Sequence, residues 1–151
     1  MTRPRRCNRP PSERLLRWRA PVLTLFLWAC ALAWDKTGVL RWGLLAALLH
    51  ETGHLLAWAA FVGGRPQLEI SPLGFCLSLR GVCLPPWREM LLAAAGPAAN
   101  FLLCSGALFW MDCFGHTYAG YWFSAANLLL GCFNFLPLPG LDGARLFGRE
   151  P

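Results

Sequence analysis

VLRWGLLAALLHETGHLLAWAAFV, residues 39–62, is an apolar run that, apart from Arg41 near its start, holds three ionisable side chains, His50, Glu51 and His54, within five positions near its middle. About 20 apolar residues suffice to cross a hydrocarbon core of roughly 30 Å, and a run of that kind in lipid is helical, because no water is there to satisfy exposed backbone groups. Charged groups at mid-membrane cost a few kcal/mol each even on insertion scales. A trio of them calls for a stronger reason than packing, although a single buried histidine is ordinarily just a hydrogen-bonded core residue. His50 and His54 form an H-E-x-x-H pattern. Positions i and i+4 share one helix face, so two imidazoles there suit one metal ion. Glu51 stands about 100° round the helix, placed to take a proton from a metal-bound water without being a ligand, as in zinc hydrolases.

The rest of the chain agrees with a membrane setting. Of 151 residues, 56% are hydrophobic and 15% charged, against about 25% charged in soluble domains. Disorder is excluded by the same numbers. Further apolar runs are Leu15–Trp34, Met90–Met111 and Tyr118–Leu136. The expected fold class is an all-α membrane protein with about four transmembrane helices and a short cytoplasmic β-hairpin between the second and third. The hairpin expectation rests on alternation in Gln67–Ser71 and Phe75–Arg80 around Pro72 and Gly74; an irregular loop is the plainer alternative. The expected organisation is a basic cytoplasmic segment 1–20, a first span and outer loop 21–38, a membrane core 39–147 and a tail 148–151.

Residues 1–19 carry seven of the fourteen basic side chains and one acid. They stand ahead of the first apolar run, where the positive-inside rule reads them as holding the N-terminus in the cytoplasm. That gives a multi-pass protein of the cell membrane. A secretory signal is a poorer reading, because Trp34 and Asp35 follow Ala31 and Ala33 where cleavage would fall. Nucleic-acid binders spread basic residues over a groove or helix face, so no nucleic-acid partner is expected; the lipid bilayer is. The seven cysteines form no Cys-x-x-Cys pair, which argues against a disulfide framework or a thiolate metal site.

Two histidines are one ligand short, since catalytic zinc ordinarily has three protein ligands and an open position. Most acids are terminal, interfacial or in loops. Asp142 differs: it closes the segment Asn134–Asp142, whose Pro137, Pro139 and Gly140 break the fourth apolar run, and Gly143 follows it. Non-helical backbone at membrane depth persists where it is buried in protein or lines a wet cavity. An Asp delivered there is a candidate third ligand, although Asp-Gly alone is a common turn. The third run holds Gly96, Pro97 and Asn100 among alanines. Small residues allow close helix approach and Pro97 can kink the helix. Asn100 and Asn134 are polar groups in apolar runs, open to substrate-binding or ligand-supporting roles. His116 reads as interfacial.

Taken in order, His50-Glu51-x-x-His54, Gly96-Pro97-x-x-Asn100 and Asn134-x-x-Pro137-x-Pro139-x-x-Asp142-Gly143 resemble the site-2 protease family of intramembrane zinc metalloproteases, in a compact form similar to the stage IV sporulation protein FB group. The resemblance spans about residues 39–147. It implies one zinc ion held by His50, His54 and Asp142, Glu51 as catalytic base, and an active site nearer the cytoplasmic side. It further implies a membrane-spanning or membrane-tethered protein as substrate, regulatory membrane partners, and a link to sporulation. Ala144 stands where a second Gly is frequent, and the chain ends nine residues after Asp142. Two other readings fit the same residues: a truncated or non-catalytic relative that binds clients without cutting, and a metal or haem carrier that would be indifferent to the loss of Glu51.

Overall fold

A computed structural model of the chain describes residues 16–18, 21–63, 67–71, 74–78 and 84–147. In chain order the elements are β1 (Leu16–Trp18), α1 (Pro21–Trp34), α2 (Val39–Phe61), β2 (Gln67–Ser71), β3 (Gly74–Ser78), α3 (Pro86–Phe114), α4 (Tyr118–Asn134) and α5 (Asp142–Leu146). The basic segment ahead of Leu16, the turn at Pro72, the end of the second expected strand at Leu79 and Arg80, and the tail 148–151 lie outside the described residues.

The expected class is corrected on two counts. Only two described helices, α2 and α3, are long and apolar enough to cross a membrane. At about 1.5 Å per residue, the 14 residues of α1 and the 17 of α4 fall short of a core roughly 30 Å thick. Nor is the chain all-α with an isolated hairpin: its strands make one three-stranded sheet in the order β1-β2-β3. β1 lies parallel to β2, pairing Leu16 with Leu68 and Trp18 with Ile70, and β2 lies antiparallel to β3, pairing Gln67 with Ser78 and Ser71 with Gly74. Leu16–Trp18 therefore belongs to this sheet instead of to the first apolar helix, which begins only at Pro21.

Local chemistry sets the helix ends. Gly38 before α2 has φ 77° and offers no side-chain cap. Asp35 supplies one from a distance, its carboxylate accepting from the Arg41 N–H at 3.2 Å and from the Thr37 hydroxyl at 3.1 Å. α3 starts with Pro86 at its first position, where a missing N–H costs nothing. Thr117 caps α4, its hydroxyl accepting from the Gly120 N–H at 3.0 Å. α4 gives way after Asn134 to a turn through Pro137 and Pro139, with Gly140 at φ 88°, and the chain turns back into helix at Asp142.

α2, α3 and α4 pack together, with α2 and α4 each antiparallel to α3. Ala57 and Trp58 of α2 meet Leu92 near the start of α3, with Val62 and Leu84 alongside. A Cβ on Gly53 would come within 2.8 Å of the Ala99 Cβ, one on Gly131 within 3.4 Å of the Asn100 Cβ, and one on Gly120 against the Met111 sulfur. Small residues thus bring the backbones together, as in helix pairs built for lipid. The burial pattern is inverted relative to a soluble bundle. Asn100 and Asn127 have no exposed surface, whereas Leu102 and Phe109 are 74% and 71% exposed. An apolar outside around a polar inside is what a hydrocarbon solvent favours.

Candidate metal centre

The H-E-x-x-H segment lies wholly in α2, so His50 and His54 fall one turn apart on the face turned to α3. Both are buried, 4% and 5% exposed. The rings cross at 83° with centroids 4.8 Å apart. The Nδ1–H of His54 donates to the Leu92 carbonyl at 2.8 Å. A carbonyl only accepts, so this bond puts the proton on Nδ1 and leaves Nε2 with a free lone pair.

Asp142 arrives from the far end of the chain. α5 is short, and Gly143 fixes where it sits: a Cβ there would run into the carbonyl oxygens of Leu136 and Phe135. Only a bare Cα lets the turn fold this tightly. The result brings Asp142 Oδ2 to 2.9 Å from His50 Nε2 and 3.1 Å from His54 Nε2, while the two Nε2 atoms stand 3.1 Å apart.

Two imidazole nitrogens and a carboxylate oxygen thus point at a common centre. Converging lone pairs at such distances repel unless a cation lies between them. Ligands of a tetrahedral zinc at about 2.0–2.1 Å lie about 3.3 Å from one another, close to the edges of this triangle. The donor set, two nitrogens and one carboxylate, is one used by catalytic zinc. Gly96 completes the cradle: a Cβ there would strike His54 Nε2 and lie 2.6 Å from His50 Nε2. Glycine at 96 is thus required for α3 to approach the histidine pair. The residues present fit a zinc ion.

The other residues singled out from sequence are placed as follows. Glu51 is half-buried on the same turn as His50. Pro97 is buried within α3, which continues as helix through it. Asn100 is buried one turn beyond Gly96, level with Gly131 of α4. Asn134 is only half-buried, and its amide donates to the Leu130 carbonyl of its own helix at 3.1 Å, so no described contact joins it to the triad. His116 is exposed beside Asp112 and Tyr121. Sequence reasoning passed over Ser124 and Asn127, both buried on the inner face of α4. Their signal was polarity inside an apolar run, the same signal that picked out Asn100.

Comparison with known proteins bears on this geometry. No family model matches the chain. Rip3 of Mycobacterium tuberculosis, a protein proposed to be a zinc metalloprotease and found in two strains, is 32% identical over 157 aligned positions, which cover 83% of this chain. The chain spans 37% of that relative's length. Among solved structures, the site-2 protease from Methanocaldococcus jannaschii is similar with a TM-score of 0.61 at 22% identity, over 87% of this chain and 64% of that one. A related sequence and a buried two-histidine, one-carboxylate centre agree, and the chain has the fold of the site-2 protease from Methanocaldococcus jannaschii.

Proposed function

We propose that the protein is an intramembrane zinc metalloprotease that hydrolyses a peptide bond in a membrane-spanning or membrane-tethered protein. The observation that carries this reading is the convergence of His50 Nε2, His54 Nε2 and Asp142 Oδ2 on one buried point beside Gly96. The apolar exterior and the two long apolar helices support a site within the bilayer.

His50, His54 and Asp142 would hold a zinc ion, which would supply Lewis acidity toward a water and toward the scissile carbonyl. Glu51 takes the proton from the attacking water and delivers it to the leaving amine. The Leu92 carbonyl holds His54 in the tautomer that presents Nε2. The surrounding α2–α3 packing keeps lipid from the polar centre. A helical substrate hides its peptide bonds within its own hydrogen bonds, so the segment to be cut is extended when it reaches the triad.

The test is co-expression with a panel of tagged single-span and membrane-tethered proteins, with zinc measured on each purified variant. Cleavage that disappears in Glu51→Gln while zinc stays bound, and zinc that disappears in Asp142→Asn, is the expected pair of results. Zinc retained with cleavage unaffected by Glu51→Gln would overturn the assignment of the base. A parent chain that takes up no zinc would overturn the reading as a whole.

A further inference from the structure

His54 and His50 differ in how their outer nitrogens are served. His54 Nδ1 has the Leu92 carbonyl. His50 Nδ1 is equally buried, yet has no hydrogen-bond partner among the described residues. To present the Nε2 lone pair, neutral His50 must carry its proton on Nδ1, and a buried N–H without an acceptor is a rare and costly thing.

The same condition recurs along the inside of the bundle. Both amide atoms of Asn100, Oδ1 of Asn127 and Oγ of Ser124 are buried without partners among the described residues. The Asn127 amide nitrogen is satisfied by the Phe123 carbonyl at 2.8 Å. These groups lie on buried faces of three helices that pack together. Gly131 faces Asn100, and Asn127 and Ser124 follow one and two turns back along the same buried face of α4. On α3, Asn100 comes one turn after Gly96, which abuts both imidazoles. α2 is antiparallel to α3 and Gly53 meets Ala99, so the His50 backbone lies level with the turn of α3 that begins at Asn100. Nδ1 is the ring nitrogen nearer that backbone.

The row mixes donors with acceptors. A cation would suit the oxygens but not the Asn100 amide N–H groups or the His50 N–H. Water both donates and accepts, and buried waters in proteins sit where about three such groups converge. We propose that α2, α3 and α4 enclose a file of ordered water molecules running from Ser124 past Asn127 and Asn100 to His50 Nδ1. The last water does for His50 what the Leu92 carbonyl does for His54. Ser124 and Asn127 are then positioning residues: they touch neither substrate nor metal, and they hold the ring orientation of one ligand through water. The consequence for zinc rests on the proposed function; the existence of the water file does not.

Radiolytic hydroxyl-radical footprinting of the full chain in detergent tests it, because radicals formed from bound water oxidise the side chains beside it. Cys104 is the reporter, buried one turn beyond Asn100 on the same face of α3; Met111, also buried, is the internal control. The expected result is oxidation of Cys104 in the parent that falls, relative to Met111, in Ser124→Ala and in Asn127→Leu. Cys104 that is protected in the parent, or labelled identically in parent and Ser124→Ala, overturns the proposal. Ser124→Ala is conservative enough to keep the test valid where Asn127→Leu fails to fold. A chelator competition gives the second readout, with zinc held about 10-fold less tightly in Asn127→Leu, the scale of change seen when groups behind metal ligands are removed; unchanged zinc retention in a folded Asn127→Leu counts against the link to His50. A chain that binds no zinc but shows the Cys104 pattern would sink the protease reading and leave the water file standing. Zinc binding and cleavage with Cys104 protected would do the reverse.

Discussion

Gly96 of α3 and His54 of α2 are in such close approach that the glycine Cα itself forms a wall of the metal centre. A methyl group at this position overlaps the nitrogen that would hold the ion. Gly96→Ala is therefore expected to abolish zinc uptake at one equivalent while leaving helical content intact. Metal analysis and circular dichroism on the purified variant check both halves.

Gly53→Ala tests the neighbouring contact, where the added Cβ would lie 2.7 Å from the Ala95 carbonyl oxygen and 2.8 Å from the Ala99 Cβ. Overpacking of this kind costs about 1–3 kcal/mol. The expected outcome is a lower unfolding midpoint in detergent. Adding Ala99→Gly should recover part of the loss and no more, because the backbone carbonyl remains in the way.

Metal removal has its own signature. An ion that binds only the folded chain stabilises it by about 2.7 kcal/mol at a free concentration 100 times its dissociation constant. Chelation should lower the melting temperature of the parent and leave that of His50→Ala unchanged. Differential scanning fluorimetry with and without added zinc reads the difference. Equal shifts in both proteins would show that the chelator acts elsewhere.

Thr117→Ala removes the hydroxyl that accepts from the Gly120 N–H. Loss of such a cap costs about 1 kcal/mol. Chemical unfolding should register a decrease of that order, with zinc content unchanged, since Thr117 lies at the end of α4 remote from the triad.

How much of this was legible beforehand varies with the physics of each part. His50 and His54 declared themselves because ionisable groups in an apolar run need a reason, and Asp142 because prolines and glycines marked a break in helix at depth. The third-ligand geometry depends on Gly143 and its tight fold over the Leu136 carbonyl, which no spacing rule reveals. Apolar length alone overstates the number of spans: the first apolar run starts at Leu15, whereas Leu16–Trp18 is a strand and the helix starts at Pro21. Three residues with an arginine in the middle carry no alternation by which a strand paired with Gln67–Ser71 could be recognised. Asn127 and Ser124 were passed over because a polar residue in a helix announces burial only once the partner helix is in place.

The two halves of the candidate metal centre, His54 and Asp142, stand 88 positions apart in the chain. At a synthesis rate of roughly 5–20 residues per second, about 4 to 18 s pass between the emergence of the histidines and that of the carboxylate. Through that interval the nascent chain holds an incomplete donor set. The last described turn to be made is the one that closes the centre, so a ribosome that stalls before Asp142 releases a membrane-inserted chain with two histidines and no third ligand. Order of synthesis thereby makes the carboxylate the last of the three donors to appear.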